Sequence, residues 1–193
     1  MKLNKSYWNQ RYIEKTTGWD VGEITTPLKE YIDQLKDKNF KIIIPGCGNA
    51  HEAEYLFLAG FTNVFLIDFS PIALNQFIER VPNFPEEQLI CDDFFNHHGK
   101  YDLMLEQTFF CALNPALRKN YAQHAADILN PNGKLVGLLF NEVLNVDHPP
   151  FGGNKEEYLT YFEPYFTINI LEPTFNSIPP RKDRELFIKF TKK

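Results

Sequence analysis

Cysteine is scarce in this sequence: Cys47, Cys91 and Cys111 are odd in number and far apart. With no CxxC pair, neither a disulfide framework nor a zinc knuckle is encoded. No apolar run approaches the roughly 20 residues needed to span a bilayer. The opening MKLNKSYWNQRY lacks the apolar stretch of a secretory signal. The expectation is a soluble protein of a reducing compartment, the cytoplasm, with no membrane partner. Excess basic charge is also missing. The 20 Lys and Arg are outnumbered by 25 Asp and Glu, for a net charge of −5. A chain so charged offers no footprint for phosphate backbones, which speaks against nucleic acid and for a small, neutral or soft substrate. Internal repeats and low-complexity tracts are absent as well. What is abundant is aromatic: 18 Phe, 9 Tyr and 2 Trp make up 15% of the 193 residues, and 44% of the chain is hydrophobic. That much apolar material buries one sizeable core, so a single domain over 1–193 is expected, as a monomer or weak dimer.

Short apolar runs alternate with helical patterns. Strands are expected at Lys41–Pro45, Val64–Asp68, Gln88–Cys91, Tyr101–Leu105, Lys134–Phe140, Phe166–Leu171 and Glu185–Thr191. Several, such as KIIIP and LVGLLF, are apolar throughout, as strands buried on both faces of a parallel sheet must be. Helices are expected at Pro27–Lys36, His51–Ala59, Pro71–Arg80, Pro115–Leu129 and Lys155–Phe162. Ser70-Pro71 and Asn114-Pro115 are capping residues followed by a proline at the first helical position. Asn130-Pro131-Asn132-Gly133 reads as the turn that ends the long helix. The pattern gives an α/β, Rossmann-like fold with a seven-stranded, mostly parallel sheet and helices on both faces. No helical pattern separates the last two runs, so the sheet ends in an antiparallel strand pair. Pro179-Pro180-Arg181-Lys182 reads as a turn or loop.

The stretch Ile42-Ile43-Ile44-Pro45-Gly46-Cys47-Gly48-Asn49-Ala50-His51 follows a strong strand and opens a helix. Glycines there let the backbone turn tightly against a ligand. The Gly-Lys-Ser/Thr ending of a phosphate loop is missing. A dinucleotide fingerprint needs a third glycine where His51 stands. What remains is a Gly46-x-Gly48-x-Ala50 turn, which suits S-adenosylmethionine because that molecule has no pyrophosphate. Asp68 ends the second strand twenty positions beyond Gly48, where a carboxylate accepts ribose hydroxyls. Asp93 follows the third strand beside Phe94, a pairing suited to an adenine, although Asp93 could equally cap a turn with Phe94 and Phe95 in the core. An NAD(P)-dependent oxidoreductase and a catalytically silent S-adenosylmethionine-binding regulator are the competing readings.

The sequence resembles the thiopurine methyltransferase-like branch of class I S-adenosylmethionine-dependent methyltransferases, which includes the plant halide/thiol methyltransferases. The matching stretches are Tyr7–Gly22 (YWNQRYIEKTTGWDVG), Ile42–Gly60, Val64–Leu74, Cys91–Phe95, Tyr101–Ala122 (YDLMLEQTFFCALNPALRKNYA), Leu129–Phe140 and His148–Tyr158, in family order. The resemblance implies that Trp8, Tyr12 and Trp19 belong to an N-terminal segment, residues 1–25, that covers the cofactor. Gly46, Cys47 and Gly48 would lie under its methionine portion, Asp68 with Phe69 would hold the ribose, and Asp93 with Phe94 the adenine. Glu106 matches an acidic residue near the cofactor, and Arg118 an arginine near the acceptor. Tyr12 stands where tryptophan is common, Gln107 where the halide/thiol enzymes tend to have tyrosine, and Ala50 where a third glycine is frequent.

Methyl transfer from a sulfonium to an anionic nucleophile neutralises charge, so a dry aromatic pocket favours it and no strong general base is required. Alignment of donor and acceptor supplies on the order of 7–11 kcal/mol in such reactions. Thiolate, halide, pseudohalide and metalloid oxyanion acceptors fit. Phe109, Phe110, Phe140 and Phe151 are candidates to line the acceptor side, with Arg118 positioning the acceptor; Phe109 and Phe110, being adjacent, cannot both face one way. His148-Pro149-Pro150-Phe151 looks like the loop of adenine and glutamine N-methyltransferases but follows the fifth strand, not the fourth. His97-His98 lacks partners at metal-ligand spacing, so no metal is expected. Cys111 reads as packing, and His51 as packing in the first turn of its helix.

Overall fold

The unbroken apolar run after Lys41 becomes β1 (Ile42–Pro45), buried along its whole length. A strand with no polar face must be covered on both sides. The computed structural model describes residues 2–193, which divide into two compact units, Lys2–His97 and His98–Lys193.

In the first unit β1 pairs in parallel with β2 (Val64–Ile67), Ile42 opposite Val64 and Pro45 opposite Ile67. β2 pairs in parallel with β3 (Leu89–Ile90). β3 is shorter than expected because Gln88 belongs to a 3₁₀ turn, Glu86–Gln88. Four helices accompany them: α1 (Lys5–Ile13), α2 (Thr26–Asp33), α3 (His51–Leu58) and α4 (Pro71–Arg80). α4 has the expected boundaries, and the Ser70 side chain accepts from Ala73 N at 3.3 Å. α1 lies where no helix was expected. Asn4 caps it by accepting from Tyr7 N, but only Tyr12 of its nine residues is buried. Ile42–Ile44, Leu56, Leu66, Ile67, Phe77 and Phe84 form the core.

In the second unit β4 (Tyr101–Gln107) runs parallel to β5 (Leu129–Phe140), and β7 (Glu185–Lys192) lies antiparallel to both β5 and β6 (Phe166–Pro173). The antiparallel pair expected at the end of the chain is present. Gly137 faces Glu106 across β4 and β5, where a side chain would run into the Glu106 backbone. The expected helix from Pro115 starts as a 3₁₀ turn, Pro115–Leu117, capped by Asn114, and becomes α5 (Arg118–Ile128). α6 spans Lys155–Phe162 as expected. One expectation needs correction. Asn130–Gly133 is not a separate turn but an irregular start of β5: Asn132 keeps a positive φ of 63°, and the register with β4 shifts between Tyr101 and Leu103. The Pro179–Arg181 segment is a 3₁₀ turn, as expected, and it buries Arg181 against Glu185, at 3.5 Å.

Candidate active site

The turn from β1 into α3 is built on alternate left-handed residues: Gly46 at φ 55°, Gly48 at 54° and Ala50 at 52°. Such angles strain any residue with a Cβ, so the two glycines are there for conformation. Gly48 has a second reason, because a Cβ on it would stand 2.8 Å from the Tyr12 hydroxyl. Tyr12 therefore lies directly over the turn. Its ring is edge-on to Trp19, at 6.1 Å, and Trp19 is edge-on to Trp8, at 5.6 Å. Burial raises the Tyr12 phenol far above its ordinary range, helped by the nearby Asp68, Cys47 and Asp20.

Asp68 follows β2. Its Oδ2 accepts from Gly48 N at 2.9 Å and its Oδ1 from Ser70 N at 2.8 Å. Burial raises its pKa, and those two amides pull against the rise. A carboxylate has about four lone-pair directions, so two backbone amides leave acceptor capacity for hydroxyl donors. The Cys47 thiol is buried and its pKa pushed well up by burial and by Asp68, so it stays a neutral packing group. Phe69 is half-buried. Asp93 Oδ1 accepts from Phe95 N at 2.9 Å, capping the 3₁₀ turn Phe94–Asn96, while Phe94 is in the core and Phe95 half-buried. The capping arrangement is thus present, and one carboxylate oxygen of Asp93 lies outside it.

Asp20 also belongs to this cluster, which the residue-by-residue reading of the sequence missed. It accepts from Asn49 Nδ2, from His51 Nε2 at 2.9 Å and from Gly22 N at 2.8 Å. These hydrogen bonds, that of His51 first, lower its pKa below the carboxylate range. His51 is thus a hydrogen-bond partner of Asp20 rather than simple packing. The signal was available in the Gly18-Trp19-Asp20 motif, but nothing local shows what that carboxylate touches.

The second unit shows how its candidate residues are held. Glu106, expected beside the cofactor, is fully buried and spends its oxygens inside the protein. Its Oε1 accepts from Phe109 N and Phe110 N, both at 2.8 Å, and its Oε2 takes the Tyr121 hydroxyl. It fastens the turn after β4, where Thr108 has a positive φ of 59°. Desolvation pushes its pKa up to about 7. Arg118, expected at the acceptor, is 2% exposed. Its Nη1 donates to Glu157 at 2.9 Å, and Nη2 to the carbonyls of Phe151 and Gly152, at 3.2 and 2.8 Å. The guanidinium also lies 4.8 Å from the Phe110 ring centroid. It is a clamp on the loop before α6 rather than a surface ion pair. Of the four candidate phenylalanines, Phe110 and Phe151 are buried, while Phe109 and Phe140 are half-buried. The rings of Phe109 and Phe110 both lie against Tyr121, at 5.9 and 5.1 Å. Phe140 O accepts from Tyr158 at 2.6 Å. The Cys111 thiol is buried, with its pKa raised to about 12 by desolvation and Glu106.

A family model for thiopurine S-methyltransferase matches residues 3–188. The chain belongs to the thiopurine S-methyltransferase family. It is an S-adenosylmethionine-dependent methyltransferase, which replaces the oxidoreductase and silent-regulator readings. It is 26% identical over 185 residues to a probable thiol methyltransferase 2 of Arabidopsis thaliana, covering 92% of this chain and 81% of that one. It is 26% identical over 192 residues to thiocyanate methyltransferase 1 of the same plant, with the same coverage. Among solved structures, the 1,6-didemethyltoxoflavin-N1-methyltransferase of Burkholderia thailandensis, with bound 1,6-didemethyltoxoflavin and S-adenosylhomocysteine, superposes with a TM-score of 0.77. That pair is 13% identical and covers 98% of this chain and 87% of the other. The fold is the seven-stranded α/β fold of class I methyltransferases, with the antiparallel strand pair at the C-terminus. No helix among the described residues is long and apolar enough to cross a membrane.

Proposed function

We propose that this methyltransferase acts on a small, soft nucleophile: a thiol, a halide or pseudohalide, or a metalloid oxyanion. The observation that carries the proposal is the Asp68 carboxylate fixed to the Gly48 amide at 2.9 Å on a glycine turn roofed by Tyr12. S-Adenosylmethionine, when bound, supplies a methyl group already activated on a sulfonium. Gly46, Cys47 and Gly48 hold its amino-acid end. Asp68, with Phe69 beside it, takes the ribose hydroxyls on its remaining lone pairs. Asp93 takes the adenine amino group on its second oxygen, and Phe94 backs that turn from the core. The rings of Trp8, Tyr12 and Trp19 exclude water and present aromatic faces to the sulfonium charge. On the acceptor, Phe109 and Phe140 offer half-exposed rings, and Phe151 is held by Arg118.

Neutral buried thiols at Cys47 and Cys111, and a Glu106 already occupied by donors, suit chemistry in which the acceptor arrives as an anion and the protein aligns rather than deprotonates it. Gln107 stands where the halide/thiol enzymes tend to have tyrosine, so their preference does not carry over to this chain. The whole chain acts as one catalytic domain of the cytoplasm, as a monomer or weak dimer, on a free small molecule rather than nucleic acid.

Calorimetry should show S-adenosylhomocysteine binding that falls at least 10-fold in Asp68→Ala, the loss of a charged hydrogen-bond acceptor being worth about 1.5–3 kcal/mol. Undiminished binding in that variant sinks the site assignment. A labelled-cofactor assay over thiols, iodide, thiocyanate and tellurite should give turnover with at least one. Activity confined to protein or nucleic acid overturns the acceptor class.

A further inference from the structure

The N-terminal strap consists of α1 and the Gly18-Trp19-Asp20 turn. Its apolar attachment is thin, since Tyr12 is the one buried residue of α1. Its polar attachment centres on Asp20, beside a longer contact from Lys5 Nζ to Cys91 Sγ at 4.0 Å. Asp20 Oδ2 accepts from Asn49 Nδ2 and Oδ1 from His51 Nε2, at 2.9 Å. The carboxylate has no proton to give, so the imidazole is the donor. Asp20 Oδ1 also accepts from Gly22 N at 2.8 Å, which fixes the carboxylate within its own turn. Asn49 closes the glycine turn and His51 opens α3, so both partners belong to the segment that carries Gly48. That segment is held independently: Arg80 donates to the Asn49 carbonyl and to Glu54, the latter at 2.6 Å. One side of the contact is therefore anchored to α3 and α4, and the other is a strap with little buried surface of its own. Asp20 and His51 are each 18% exposed in their side chains, so the pair sits at the rim of the contact, where an opening motion would begin.

We propose that Asp20, through Asn49 and His51, is a latch that sets how tightly the strap closes on the glycine turn, and so how fast S-adenosylmethionine enters and S-adenosylhomocysteine leaves. This rests on the reading that the turn holds the cofactor. Asp20, Asn49 and His51 are positioning residues: they hold Tyr12 and Trp19 over the turn. Two hydrogen bonds to a carboxylate are enough to shift an opening equilibrium by tenfold or more.

The test has two arms on the full-length chain. In the first, hydrogen exchange is followed without ligand in the wild type, Asp20→Ala and His51→Ala. Amides of residues 5–22 should exchange at least tenfold faster in both variants, while those of β1 and β2 keep their wild-type rates. A general loss of stability would accelerate both sets. In the second, S-adenosylhomocysteine release is timed by the fluorescence of Trp8 and Trp19 on stopped-flow dilution, and it should speed up about tenfold in both variants. Unchanged exchange of 5–22 in a folded variant, or unchanged release, overturns the latch. Failure of the wild type to bind S-adenosylhomocysteine overturns the cofactor-site reading instead, and with it the control of release, while the exchange arm still reports on the fastening. Should Asp20→Ala fail to fold, His51→Ala and Asn49→Ala carry both arms.

Discussion

Gly48 combines two demands that usually fall on different residues. Its φ of 54° strains any L side chain, and the Tyr12 hydroxyl fills the space a Cβ would need. Gly48→Ala should therefore destabilise the fold by about 1–2 kcal/mol from the backbone strain, measurable by urea denaturation. It should also weaken S-adenosylhomocysteine binding, because Tyr12 is pushed off the turn. Loss of stability with wild-type affinity would show that Tyr12 does not need its present place. Glu106 poses the opposite problem, a carboxylate buried among donors. Gln at 106 keeps an oxygen for the Phe109 and Phe110 amides and offers its nitrogen to the Tyr121 oxygen, so the substitution preserves the contacts and removes the titration. The glycine turn and Asp68 were legible as residues, because φ > 0 and a carboxylate at a strand end are local requirements. The burial of Glu106 was not, since the amides that occupy it come from a turn whose path is set by the sheet.

Among the elements, the loop before α6 depends on one arginine at the start of α5. Arg118→Ala leaves two carbonyls and Glu157 without their donor and should destabilise by about 2–4 kcal/mol. Arg118→Lys should recover little of it, because an ammonium cannot reproduce the planar fork that reaches Glu157 and two carbonyls together. Thermal melts of the three proteins give the comparison, and a Lys variant as stable as the wild type would refute the fork. If the loop also places Phe151 for the acceptor, the KM for the acceptor should rise in Arg118→Lys while the affinity for S-adenosylhomocysteine is kept. Two helix starts were readable from their caps: Ser70 and Asn114 bond where the sequence says they should. Their contribution is about 1 kcal/mol each, which a Ser70→Ala melt checks. α1 was not readable, because its residues show no apolar stripe and its one buried side chain is held by the glycine turn.

At the scale of the whole molecule, Glu106 couples stability to pH. Its pKa is raised from 4.5 to about 7 in the folded state, so the folded protein binds the proton more tightly than the unfolded chain. The stabilisation is complete below about pH 4.5 and is lost as pH rises through about 7. Comparing wild type and Glu106→Gln in urea at pH 5 and pH 8 should show the wild type losing on the order of 1–3 kcal/mol relative to the variant across that interval. A pH-independent difference would mean the carboxyl titrates normally. By itself the sequence determined the alternation of strands and helices, the antiparallel end, the glycine turn and the acid twenty residues beyond it. All of these rest on periodicity, φ restrictions and capping, which act over a few residues. Only the tertiary structure decided that Arg118 is a clamp, that Glu106 is spoken for, that Phe110 is core while Phe109 is half-buried, and that Asp20 ties the strap to the glycine turn. Each of those depends on which donors and rings pack against a side chain from around a turn or from another element, and local pattern carries no record of that.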